Sequence, residues 1–230
     1  MAAGTKTLPD ILIFDSSPDA AVIRILLMGR NSSGNLILGE KRFKRHESGV
    51  CEGQTQIRGQ QVAVIDCPDL LDPDLNEEQL EMMEEQLFSG CSAGLSSVLL
   101  TVPLEKPLQY EQEILDYIKC LFGAEVQKYI MILFTHEDDL EDLDQTVDEY
   151  LKPKDHEDLQ RLVTECGGKS HCFSNKRESH KQVQDLLQKI EGMMTENGGT
   201  LMMKQMQRSN SMDVLNVSFS GKSLPYPVSR

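Results

Sequence analysis

Two glycines separated by four residues, Gly29 and Gly34, stand where this chain could do chemistry. Before them runs Val22-Ile23-Arg24-Ile25-Leu26-Leu27-Met28, which reads as a strand buried on both faces. Between them lies the polar loop Arg30-Asn31-Ser32-Ser33, and Leu36-Ile37-Leu38 then resumes the apolar pattern as a helix start. In such a frame backbone amides cradle phosphate, and the spacing fits G-x-x-x-x-G-K-[ST]. Two chemical groups of that motif are missing. Asn35 stands at the lysine position and Leu36 at that of the magnesium-binding hydroxyl. Each charge-assisted bond from the lysine is worth ~1.5–3 kcal/mol. Losing two costs ~3–6 kcal/mol, or about 10²–10⁴ in affinity. The amides of residues 32–34 still favour an anion.

A loop of this kind needs a sheet and helices to hold it. Ile57 ends a strand, Arg58-Gly59 reads as a tight turn, and Val62-Ala63-Val64-Ile65-Asp66 as a second buried strand, so the two make a hairpin. Residues 40–55 are polar and aperiodic and read as a loop. Residues 76–88 form a helix with Asn76 as N-cap and Leu80, Met83 and Leu87 on one face. Residues 96–102 make a third strand, stopped by Pro103. Residues 110–122 make an amphipathic helix through Ile114, Leu115, Ile118, Leu121 and Phe122, closed by Gly123. A fourth buried strand covers 129–135, short helices cover 141–151 and 157–166, and a last strand covers 171–174. The closing helix, 181–194, turns Val183, Leu187, Ile190 and Met194 inward. Residues 8–13 are apolar and read either as an edge strand or as a dangling extension.

Alternating strands and helices define an α/β class, a mostly parallel sheet covered by helices on both faces through right-handed crossovers. Ligands of such sheets sit outside the carboxyl ends of the strands. Those ends are residues 29–34, 66–69, 102–104, 135–139 and 174–176.

Composition narrows the function further. The formal charge is −14 with a pI near 4.8. Residues 136–159 hold eleven Asp and Glu against Lys152 and Lys154, a surface that repels nucleic acid and anionic membrane. Residues 200–230 reverse the sign, with Lys204, Arg208, Lys222 and Arg230 against Asp213. The six cysteines have no C-x-x-C spacing, and the neighbours His171-Cys172 lack the spacing of a structural zinc site. Cys67 has no nucleophile motif around it. Cysteine usage therefore points to reduced thiols and a cytoplasmic protein. No stretch approaches the ~18 apolar residues of a transmembrane segment, the first residues lack a signal pattern, and the last four carry no prenylation box.

Together these segments resemble the GTPases of immunity-associated proteins, the GIMAP family, relatives of the septins, over residues 21–194. Gly34-Asn35-Leu36-Ile37-Leu38-Gly39-Glu40-Lys41-Arg42-Phe43 is similar to the family's G-N-S-I-L-G-x-x-x-F. Gly59-Gln60-Gln61-Val62-Ala63-Val64-Ile65-Asp66-Cys67-Pro68-Asp69-Leu70 resembles G-R-x-V-x-V-I-D-T-P-G-L. The stretch 103–123 looks like the segment special to this family. Ile132-Leu133-Phe134-Thr135-His136-Glu137-Asp138-Asp139-Leu140 resembles I-V-L-F-T-[RH]-x-D-D-L, and Cys172-Phe173-Ser174-Asn175-Lys176 its F-N-N segment.

The resemblance implies a P-loop GTPase-like fold, GTP or GDP as ligand, and pairing with other GIMAP-type G domains. It carries the phosphate contacts to Gly29, Arg30, Asn31, Ser32, Ser33, Gly34 and Asn35, and the end of the second strand to Asp66. For the base it implies that Asp139 takes the guanine amino and ring N–H, His136 stacks, and Asn175 meets the carbonyl. The departures are equally specific. Aligned on Gly34-Asn35, the chain lacks about five family residues, lysine and serine among them; aligned on Gly29, the loop keeps its length but reads Asn35-Leu36. Thr55 does not match the switch threonine, Asp69 replaces the switch glycine, and Glu137 replaces the lysine of the guanine loop.

The expectation is therefore an N-terminal extension, 1–20, a degenerate GIMAP-type G domain, 21–198, and a disordered tail, 199–230. Its function is regulatory or scaffolding, with weakened guanine-nucleotide binding, no resident Mg2+ and little or no hydrolysis. The alternative is a nucleotide-free interaction module that pairs with intact relatives; an active GTPase ranks last. In the tail, Arg208-Ser209-Asn210-Ser211 has the spacing accepted by basic-directed kinases, and the methionines from Met202 onward suit either a floppy end or a partner-binding helix.

Overall fold

Apolar and β-branched runs become the strands of one six-stranded sheet in a computed structural model that describes residues 22–29, 33–44, 49–103, 109–135, 147–152, 157–173 and 179–202. The strands are β1 (Ile23–Met28), β2 (Cys51–Ile57), β3 (Gln60–Asp66), β4 (Ser97–Pro103), β5 (Ile130–Thr135) and β6 (Ser170–Cys172), in the order β2-β3-β1-β4-β5-β6. All pair in parallel except the hairpin β2–β3. Its two-residue turn holds Arg58 at φ 51° and Gly59 at φ 86°, the doubly positive geometry whose twist suits a hairpin.

Alternate side chains of the central strands feed two apolar layers. Leu26, Met28, Ile65, Val98, Leu100, Val102, Ile132 and Phe134 face α2 (Glu77–Cys91), α3 (Gln109–Phe122) and α5 (Glu157–Glu165). Ile23, Ile25, Leu27, Val62, Val64, Leu99, Met131 and Leu133 face α1 (Gly34–Leu38) and α6 (Ser179–Glu196). Burying each such side chain is worth roughly 1.5–3 kcal/mol, so this layering dominates the fold's stability. A five-residue α4 (Val147–Leu151) and a 3-10 turn (Ala124–Tyr129) complete the order.

Local chemistry sets the helix ends. Asn76 caps α2 through a reciprocal box, its Oδ1 accepting from the Gln79 N–H at 2.9 Å while the Gln79 Oε1 accepts from the Asn76 N–H at 3.0 Å. Gly123, at φ 82°, closes α3.

Three expectations are adjusted. The loop expected over 40–55 contains most of β2, whose inward positions are Cys51, Gly53, Thr55 and Ile57 and whose outward ones are Glu52, Gln54 and Gln56. Its alternation is real but carried by small and polar residues, so hydrophobicity hides it. The closing helix also buries Leu186 and Met193. Past Gly199 the chain stays on the domain: Leu201 exchanges backbone hydrogen bonds with Leu95 at 2.8 and 2.9 Å and is itself buried. Residues 8–13, 141–146 and 203–230, with the kinase motif, lie outside the described residues.

Candidate functional site

At the carboxyl edge of the sheet, β1 ends beside β3 and β4, with Leu27 in register with Asp66 and Leu99. Gly29 leaves β1 at φ 118°, where a side chain is strained. A Cβ there would lie 2.4 Å from Thr101 Oγ1 and 2.8 Å from the Thr101 carbonyl oxygen. Thr101 in turn donates its hydroxyl to the Met28 carbonyl at 3.1 Å. The loop therefore departs pressed against β4, an arrangement only glycine permits. Thr101 was not among the expected site residues; the signal for it was a lone hydroxyl in the apolar run Val98-Leu99-Leu100-Thr101-Val102.

Ser33 begins α1 by accepting the Leu36 and Ile37 amides on its carbonyl, without a side-chain cap. Gly34 is packed so closely that a Cβ would meet the Phe43 ring at 2.5 Å and Leu27 at 3.2 Å. Asn35 holds that ring's segment in place. Its Oδ1 accepts the Arg42 and Phe43 N–H groups, each at 2.7 Å, and its Nδ2 donates to the Phe43 carbonyl at 2.7 Å. Asn35 is thus a clamp between α1 and the segment after it, with both ends of its amide engaged.

Asp66 ends β3, half-buried, in register with Leu27 and Cys51. Asp69 folds back on its own turn, with Oδ1 accepting the Leu71 N–H at 3.0 Å. Cys67 between them is buried, and burial, then Cys91 and the flanking aspartates, push its thiol well up, so it is no thiolate nucleophile.

Of the expected site residues, Gly29, Ser33, Gly34, Asn35 and Asp66 gather at this edge. Arg30, Asn31 and Ser32 lie outside the described residues, as do His136, Asp139 and Asn175, which follow the ends of β5 and β6 in the chain. Among the described residues, the phosphate side lacks two groups that the motif uses for GTP with magnesium. Where the motif needs an ammonium there is an amide committed to backbone, and where it needs a hydroxyl there is Leu36. Among the described residues no group of three or more His, Cys, Asp or Glu could hold a metal ion.

Strand order, two-layer cover and a glycine-bracketed loop after β1 define a P-loop GTPase fold. Toc33 from Arabidopsis thaliana in complex with GDP and Mg2+ shares it, with a TM-score of 0.56 at 14% identity over 80% of this chain and 88% of that one. A solved structure of the chloroplast translocon components atToc33 and psToc159, whose dimerization is described as important for their GTPase activity, aligns with a TM-score of 0.53 at 12% identity over 79% of this chain and 86% of that one.

The AIG1 family model matches residues 23–217, and the chain belongs to that family. Immune-associated nucleotide-binding protein 12 of Arabidopsis thaliana is 35% identical over 189 residues, 76% of this chain and 47% of the relative. GTPase IMAP family member 8 of Homo sapiens is 31% identical over 201 residues, 80% of this chain and 30% of the relative. The chain thus spans about half or less of the length of these curated relatives. No helix among the described residues is long and apolar enough to cross a membrane.

Proposed function

We propose that this chain is a regulatory or scaffolding G domain of the cytoplasm, in which GTP and GDP are held weakly, Mg2+ is not retained and GTP is not hydrolysed. The observation that carries the reading is the engagement of Asn35. Three hydrogen bonds to Arg42 and Phe43 tie it to the fold at the position where the motif would present a lysine. This supports the alignment on Gly34-Asn35, in which the phosphate-binding residues are deleted rather than substituted. Phosphoryl transfer depends on positioning and electrostatic groups, and this edge has lost both the cation and the metal ligand.

Calorimetry on the full chain with GDP and GTP, each with and without magnesium, tests the binding half. Affinity at least ~10² below that of an intact relative measured alongside is expected. Phosphate release should stay at buffer background. A magnesium-dependent rate that survives repurification and vanishes in Asp66→Ala overturns the reading.

The second reading is a nucleotide-free module that pairs with intact AIG1-type GTPases. Asp69 favours it, because a carboxylate replaces the switch glycine and would stand near a terminal phosphate, and like charges there cost free energy at low dielectric. Light scattering separates the two readings: a monomer insensitive to GTP that forms a heteromer with a GTP-loaded relative supports pairing, and a GTP-dependent homodimer refutes it.

A further inference from the structure

Among the described residues, the α1–α6 face of the sheet is incompletely covered. α1 has five residues, a rise of about 7.5 Å, against about 20 Å for the six residues of β1. What remains is an open cleft of about 800 Å³ between α1, the last residues of β2 with the hairpin turn, and the start of α6. Leu36, Ile57 and Val183 contribute its apolar walls, and Lys41 and Arg58 stand at its rim beside Glu40. Both cations are exposed, and neither makes an ion pair with a described residue.

One stretch of the same chain has the complementary chemistry. Ile11, Leu12, Ile13 and Phe14 form an apolar tetrad between Asp10 and Asp15, with Asp19 beyond. The opposite end of the chain is a poorer match: residues 203–230 carry Lys204, Arg208, Lys222 and Arg230 against Asp213, and two rim cations repel that charge. Reach is sufficient. Ile23 is in register with Val62, and Val62 with Thr55, which lines the cleft. The chain therefore enters β1 two strand spacings, about 10 Å, from that wall. Residues 15–21 can span up to about 24 Å.

We infer that residues 8–14 dock in this cleft, the tetrad against Leu36, Ile57 and Val183 and the acids toward Lys41 and Arg58. The occupant is intramolecular, and the cleft borders the end of the phosphate loop at Asn35 and Leu36.

The test uses the full chain and hydrogen exchange of residues 36–41 and 55–58. Ile11→Asp with Ile13→Asp should speed exchange there about tenfold and leave β4 and β5 unchanged. Lys41→Glu with Arg58→Glu should do the same, more weakly and only at low salt. Combining that pair with Asp10→Lys and Asp15→Lys should restore protection. Unchanged exchange in the Ile11/Ile13 variant overturns the proposal. Protection that rises with protein concentration also overturns it, by assigning the cleft to a second copy.

Discussion

The two faces of the sheet are held in different ways. On the α2–α3–α5 face the helices brace one another as well as the sheet. The Tyr117 hydroxyl donates to Glu84 of α2, and burial together with that carboxylate pushes the phenol's pKa up, so it keeps its proton. Lys119 of α3 pairs with Glu165 of α5 and holds its carboxyl below the usual range, and Gln112 donates to the same carboxylate at 3.3 Å. On the other face α1 is five residues long, buries Ile37 and Leu38, and is tied to the segment after it by the Asn35 amide. The braced face is independent of the loop after β1. On the α1 face the same residues serve loop and packing: Gly34 admits the Phe43 ring and Asn35 holds its segment.

Substitutions at three places sharpen or break that contrast. Leu115, fully buried against the braced face, should lose about 3–4 kcal/mol on change to Ala, read from the denaturant midpoint. The loop's nucleotide behaviour should not change. A loss below about 1 kcal/mol would mean that face is less tightly packed than its burial indicates.

The next effect concerns pH. His171 of β6 is buried, stacks edge-on against Phe173 with ring centroids 5.1 Å apart, and its Nε2 has no hydrogen-bond partner among the described residues. Burial first, then the Lys189 ammonium, lower its pKa to about 4 from an ordinary 6.5. The unfolded chain therefore takes up a proton first. Stability should fall as pH drops from 6.5 toward 4, by up to about 3 kcal/mol from this group, and lose nothing more from it at lower pH. His171→Leu should flatten that fall; an unchanged slope would show that acidic groups cause it.

The smallest effect is expected at the loop. Asn35→Ala removes three hydrogen bonds, one to an exposed N–H, and should cost about 2 kcal/mol. Asn35→Lys with Leu36→Ser should cost a similar amount and leave nucleotide affinity within tenfold of the parent. A gain beyond tenfold would return Asn35 to the phosphate side and remove the asymmetry between the faces.

Much of this was legible in the sequence, to unequal depth. β1, β4 and β5 are mostly apolar because their side chains are buried on both faces of the sheet, and the capping box at Asn76 and Gln79 is a local signature. β2 was hidden because an edge strand with one wet face needs little hydrophobicity. Leu201 was hidden because its partner, Leu95, is distant in the chain. At the site, the absence of lysine and hydroxyl could be read directly, but the present use of Asn35 could not.

The sequence alone determined the class, most of the order of elements and the presence of Asn35 and Leu36 after the second glycine of the loop, because periodicity, caps and residue identity are local properties of the chain. Only the tertiary structure showed what Asn35 holds, since that depends on where an amide points. It also decided that Gly29 must pass Thr101 without a side chain and that Gly34 must admit the Phe43 ring. Those are contacts between residues 72 and 9 positions apart, and close packing in three dimensions fixes them, not the pattern along the chain.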